Sequence, residues 1–101
     1  EASQPIRFWA SKYKTKFNED PTVFSVYGYS IISSFAVAAN KAGKNLTTDS
    51  FIKTMDSITL PKDMFGGPEL TFTAKKRLGN EQSRMSQITD GKWKVVSDYI
   101  K

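Results

Sequence analysis

Between Pro5 and Phe17 the apolar residues Ile6, Trp9, Ala10, Tyr13 and Phe17 recur at helical spacing, i, i+3, i+4, i+7 and i+11. Arg7, Lys12, Lys14 and Lys16 fall mostly outside that stripe. The pattern predicts an amphipathic helix with a basic outer face, with Ser3 or Gln4 ahead of Pro5 and an end before the loop "NEDPT". From Pro21 the pattern changes. Val23, Phe24, Val26, Tyr27, Tyr29, Ile31, Ile32, Phe35 and Val37 go nearly all the way round a helix axis. This second helix is expected to open at Pro21, run to about Ala42 and stop at Gly43, a residue suited to the C′ position. A helix that is apolar on every side is expected to be buried on every side, which requires more neighbours than the remaining chain provides.

A third, short helix is capped by Thr48 or Thr47, with Asp49 in its first turn and a stripe of Phe51, Ile52, Met55 and Ile58. "LPKDMFGGP" reads as a loop from its Pro and Gly content. In "ELTFT" Leu70 and Phe72 alternate with Thr71 and Thr73, the period of a strand. "AKKRLGN" is a polar turn, and a further strand from about Ser83 leads to Asp90-Gly91. That dipeptide is a hairpin signal, because a type I′ turn needs positive φ at both central residues. Trp93, Val95 and Val96 follow it, and Trp93 is expected to pack in the hairpin. Three helices followed only by strands suggest α+β by pattern alone. With so little to cover the second helix, the hairpin is expected to belong to a sheet whose other strands lie outside these residues.

Composition narrows the chemistry. The 101 residues are enough for one small domain, and 39% hydrophobic with 13% aromatic residues excludes a disordered tail. With no cysteine and no histidine, disulfides, thiolate metal sites and the commonest general base are all excluded. The aspartates sit in loops, turns and helix starts, none spaced as a carboxylate pair, so no catalytic constellation is expected. "FGGP" lacks the Gly-x-x-x-x-Gly-Lys frame and leads into a strand, so it reads as a glycine-requiring turn rather than a phosphate loop. No cofactor or metal is expected.

The net charge of +5 raises nucleic acid, an acidic protein or an anionic membrane as partners. Against nucleic acid, Trp9 and Tyr13 fall on the apolar stripe while the lysines beside them point elsewhere. The uncharged run from Pro21 to Asn40 has the length of a membrane span, but four serines, Gly28 and two tyrosines make it too polar for lipid on all sides. The N-terminal residues Glu1 to Pro5 show no initiator Met and no leader features, so the chain is expected to be processed or part of something longer.

Taken in succession, "FWASKYKTKF", "NEDPT", "VYGYSIISSFAVAANKAG", "TTDSFIKTMDSI", "FGGPELTF" and "QITDGKWKVV" resemble the C-terminal part of the branched-chain amino-acid (Leu/Ile/Val) type of periplasmic solute-binding protein. Two positions depart from that pattern. Ser30 stands where an acidic residue commonly follows the "GY" element, and Lys75, Lys76 and Arg77 occupy a turn that is usually acidic.

The resemblance implies an α/β fold. The chain would be part of a type I periplasmic-binding-protein lobe, an incomplete fragment in which residues 1–101 form a single C-terminal segment of a larger two-lobe protein. A hinge crossing is expected around residues 78–89. The implied function is non-enzymatic: capture of a branched-chain amino acid or related small carboxylate by lobe closure, for the membrane permease of an ABC importer, in the periplasm or at the bacterial cell surface. Tyr27 and Tyr29, near the start of the second helix, are the implied ligand-facing residues, against the plainer reading that both are core aromatics. The main ligand clamps would precede Glu1. Alone, the chain is expected to self-associate through exchanged elements. The rival reading is a small basic interaction domain that binds nucleic acid or an acidic protein.

Overall fold

In a computed structural model, residues 3–101 are described; Glu1 and Ala2, the start of the stretch without leader features, lie outside the described residues. Three helices come first: α1 (Gln4–Phe17), α2 (Val23–Ala42) and α3 (Thr48–Met55). Four strands follow: β1 (Thr59–Leu60), β2 (Leu70–Thr71), β3 (Ser86–Thr89) and β4 (Lys92–Val95).

Local chemistry sets the helix ends. α1 stops where Asn18 adopts a left-handed conformation (φ 55°) and its N–H reaches the Lys14 carbonyl at 2.8 Å. Lys14 and Lys16 lie in that last turn, where the helix dipole favours cations. Pro21 does not open α2 as the pattern suggested. It precedes the N-cap, Thr22, which forms a capping box with Ser25, and Gly43 ends the helix at φ 92°. Thr47, rather than Thr48, caps α3: its hydroxyl accepts from the Ser50 N–H at 3.1 Å, and its own N–H donates to Ser50 Oγ.

α3 is shorter than its stripe implied. Ile58 lies beyond its end, immediately before β1, which pairs antiparallel with β2 in the register Thr59↔Thr71 and Leu60↔Leu70. Phe72 N–H continues that ladder to the Ile58 carbonyl at 3.2 Å. Around this pair sits the core: Ala38 of α2, Ile58 and Leu60 are buried, with Phe51, Met55, Leu70 and Phe72 packed against them. Gly79 crosses directly over Phe72, where a Cβ would stand 2.5 Å from the ring, and its carbonyl accepts from Thr71 N–H.

The second sheet is the predicted hairpin. Asp90 (φ 53°) and Gly91 (φ 75°) make its turn, both in the left-handed region that a type I′ turn requires. β3 and β4 pair as Gln87↔Lys94 and Ile88↔Trp93, which puts Ile88, Trp93 and Val95 on one face. That face is uncovered: Trp93 is 74% exposed, so it does not pack in the hairpin as expected. Below the hairpin, Ser83 and Ile100 exchange backbone hydrogen bonds.

α2 departs furthest from expectation. It is long and apolar enough to cross a membrane by length and composition, at a mean hydropathy of 1.3. Among the described residues its covered side carries Ser30, Ser33, Ser34 and Ala38, while Phe24, Ile31 and Ile32 point outward, 67–78% exposed. The helix is not buried all round because α3, the Trp9 end of α1, and the β1–β2 pair with its loop meet only part of its circumference. The Cα radius of gyration, 16.1 Å, exceeds the roughly 13 Å of a compact chain of this size.

Candidate functional site

The chemistry available to this fold gathers where α1, the N-terminal half of α2 and the 61–68 loop meet. Trp9 is the centre. Its ring lies 5.0 Å from Phe65 and 5.8 Å from Tyr29, both edge-on, and 5.9 Å from Tyr13. Phe65 and Tyr29 are themselves 5.8 Å apart, so the three rings close a triangle of edge-to-face contacts. The stripe on α1 supplies Trp9 and Tyr13, four residues apart on one face. Tyr13 is oriented at its far end by donating to Glu19 at 3.1 Å.

The loop is held for its part by Asp63. One carboxylate oxygen accepts from both the Phe65 N–H (2.9 Å) and the Gly67 N–H (2.8 Å), closing a tight turn. Gly66 is required by its backbone, at φ 81°, and Gly67 by the Asp63 carboxylate, which a Cβ there would approach to 2.8 Å. "FGGP" is therefore the glycine turn expected of it, and its product is the inward placement of Phe65.

Two clefts flank this triangle, and Tyr29 walls both. The first, about 380 Å³, runs along α1 past Trp9, Tyr13 and Phe17, with Lys12 and Lys16 at its rim. The ammonium groups of those lysines lie over the rings of Phe8 (5.4 Å) and Phe17 (5.8 Å), which keeps their charge beside the aromatic surface. The second cleft, about 350 Å³, lies between α2 and the β1–β2 sheet. Its α2 wall is hydroxylic, from Ser30, Ser33 and Ser34. Leu60, Leu70 and Met64 make an apolar wall opposite, with Lys62 and Asp63 at the edge. Such a mixture suits a small molecule with an apolar body and polar ends.

The structure thus separates the two tyrosines singled out from the sequence. Tyr29 joins the Trp9–Phe65 triangle, whereas Tyr27 stacks edge-on with Phe24 at 6.0 Å on the exposed side of α2 and lines neither cleft. The serine wall was missed, although its signal was present: Ser30, Ser33 and Ser34 stand at i, i+3 and i+4, a polar patch on one face of an apolar helix. Asp63 was missed as well. Asp three residues before a Gly-Gly pair is the pattern of a carboxylate that caps the turn. Among the described residues no group of three or more metal-ligating side chains is assembled.

Comparison with known proteins bears on the same region. Neither the curated proteins nor the solved structures return a match. One family profile, described as periplasmic binding protein, matches residues 1–92, which takes in α1, α2, the loop and both sheets as far as the start of β4. That family consists of binding proteins rather than enzymes. The chain belongs to the periplasmic binding protein family.

Proposed function

We propose that the protein is the solute-binding component of an ABC importer, capturing a branched-chain amino acid or related small carboxylate outside the cytoplasm. Residues 1–101 would form the C-terminal segment of a two-lobe receptor whose third hinge crossing falls around residues 78–89. Lobe closure would trap the solute and present it to the membrane permease. The observation that carries this reading is the family match across residues 1–92. The second cleft supports it, since serine hydroxyls, Lys62 and Asp63 around an apolar floor complement an amphiphilic zwitterion. Tyr27 and Tyr29 are the proposed ligand-facing residues of α2, with Tyr29 at the clefts. The open face of α2 and the unpaired hairpin edges favour self-association when the 101 residues stand alone.

Thermal-shift screening of the two-lobe protein tests the reading. Leucine, isoleucine or valine at 100 times its Kd adds about 2.7 kcal/mol of stability. Aromatic acids and amides serve as the competing solutes. Failure of every solute to raise Tm, together with tight DNA binding that weakens steeply with salt, would replace transport with the basic interaction domain.

A further inference from the structure

The 61–68 loop is not held by Asp63 alone. From 33 residues away, Tyr99 donates its hydroxyl proton to the Gly66 carbonyl. Arg84 lies over the Tyr99 ring, its guanidinium carbon 4.9 Å from the centroid, and the same guanidinium stands 3.0 Å from where a Gly66 Cβ would be. Arg84 and Tyr99 are each half-buried and brought together by the Ser83–Ile100 backbone pair, which clamps their two segments side by side. Gly66 is therefore gripped from outside by a bond to its oxygen and by a guanidinium against its open Cβ position. Its neighbour Phe65 points the other way, into Trp9 and Tyr29.

We infer that Tyr99 and Arg84 are positioning residues, which latch the C-terminal segment onto Gly66 and thereby hold the Phe65–Trp9–Tyr29 wall in place. Neither residue lines either of the two clefts flanking that wall. They act through the loop: with Gly66 released, Asp63 still closes the turn, and the ring contacts of Phe65 are left to hold that turn's tip against α1 and α2. The inference rests on the proposed solute-binding reading only where it concerns affinity. Arg84 also lies within the stretch 78–89 proposed as the hinge crossing, so the residue that steadies the wall sits on the segment that would bend.

Fluorine NMR of the 5-fluorotryptophan-labelled protein tests the latch without any solute. The Trp9 resonance is assigned by its loss in W9F, and F65A defines the shift produced when the Phe65 ring current is removed. Y99F, which deletes only the hydroxyl, is expected to move the Trp9 resonance in the F65A direction and to broaden it, as is R84A. One lost hydrogen bond of ordinary strength reduces the docked population about two- to tenfold relative to the undocked one. A Trp9 resonance unchanged in both variants overturns the latch. Should Y99F lose its helical circular dichroism, R84A decides alone, since it leaves the hydroxyl bond in place. Leucine affinity then links latch to cleft, with Y99F expected to bind about two- to tenfold more weakly. Equal affinity in Y99F and wild type, with Trp9 displaced, overturns that link. Absence of leucine binding to the wild type counts against the proposed solute class, while the resonance still decides the latch.

Discussion

The corner built by α3, β1 and β2 and the outward side of α2 have the same kinds of side chain and opposite fates. In the corner Ile58 is 1% exposed and Leu60 4%, and Phe51, Leu70 and Phe72 lean on them. On α2 the equally apolar Phe24, Ile31 and Ile32 face solvent, while the serines of the same helix are turned inward. Composition alone does not decide burial; a surface must be there to meet the side chain. The corner closes with residues near in sequence, since β1 and β2 are joined by a loop of nine residues that folds back on itself. Its pairings are local enough to be complete. α2 meets α3 through Ala38 and Phe35, α1 and the loop through Tyr29, and the second cleft through its serines, all on part of its circumference. The other side agrees with the proposal that 1–101 is one segment of a larger receptor, where a further layer would cover it.

A matched pair of substitutions separates the closed corner from the open helix face. Ile58→Ala removes a fully buried side chain and is expected to cost about 2–5 kcal/mol by urea denaturation. Ile31→Ala, on the open face, is expected to stay within about 0.5 kcal/mol in the 101-residue chain. In the proposed two-lobe receptor the gap should close, with Ile31→Ala also costing on the order of 2–5 kcal/mol. An Ile31→Ala cost that stays small there would show that this face remains open, and the proposed covering layer would be wrong.

Much of this contrast can be read from the residues, and the parts that cannot have identifiable causes. The stripe from Ile6 to Phe17 located α1, and Gly43 and Asp90-Gly91 marked a helix end and a turn. Ile58 was misplaced because it follows Met55 at i+3 and so extends a helical period. The competing signal was Leu60-Pro61: the residue before proline is pushed out of the helical region, and Thr59 is β-branched. β1 is only two residues long, too short for an alternating pattern. For the site, Tyr29 was visible as an aromatic near the start of α2. Its partners Trp9 and Phe65 were not, because they come from elements 20 and 36 residues away in the chain, and no periodicity spans such distances. The Tyr99–Gly66 contact is illegible for the same reason.

A second, smaller test compares two helix starts. Thr47 satisfies the first turn of α3 through its capping box, whereas Ser3, in the same position on α1, makes no side-chain cap bond. Thr47→Ala is expected to cost about 1 kcal/mol, and Ser3→Ala close to nothing. Because α3 carries Phe51 and Met55 into the core, fraying its start loosens the well-packed region, while α1 loses only an exposed end. Equal denaturant midpoints for the two variants would show that the corner does not depend on that cap.

The smallest expected effect lies on the surface near the C-terminus, and it concerns pH. The Lys76 ammonium donates to Glu81 Oε2 at 2.7 Å and attracts its charge, with Lys101 adding a weaker pull at 3.7 Å. Together these outweigh desolvation and hold the Glu81 carboxyl below its ordinary value of 4.5. In the unfolded chain the group takes up its proton near that ordinary value; in the folded chain it resists until the pH is lower. The stabilisation is therefore fully present above about 4.5 and is lost as pH falls through the lower, folded value. All three side chains are substantially exposed, so salt screens the interaction and its contribution is slight. Denaturant midpoints followed from neutral pH into that acid window should fall a little further for the wild type than for Glu81→Gln, and the difference should shrink at high salt. Identical acid profiles at low salt would mean that Lys76 and Glu81 do not hold the 76–81 turn together in solution. Gly79, whose passage over Phe72 closes one side of the buried corner, would then depend on the Thr71–Gly79 backbone bond and on the Arg77–Asp56 ion pair two residues before it.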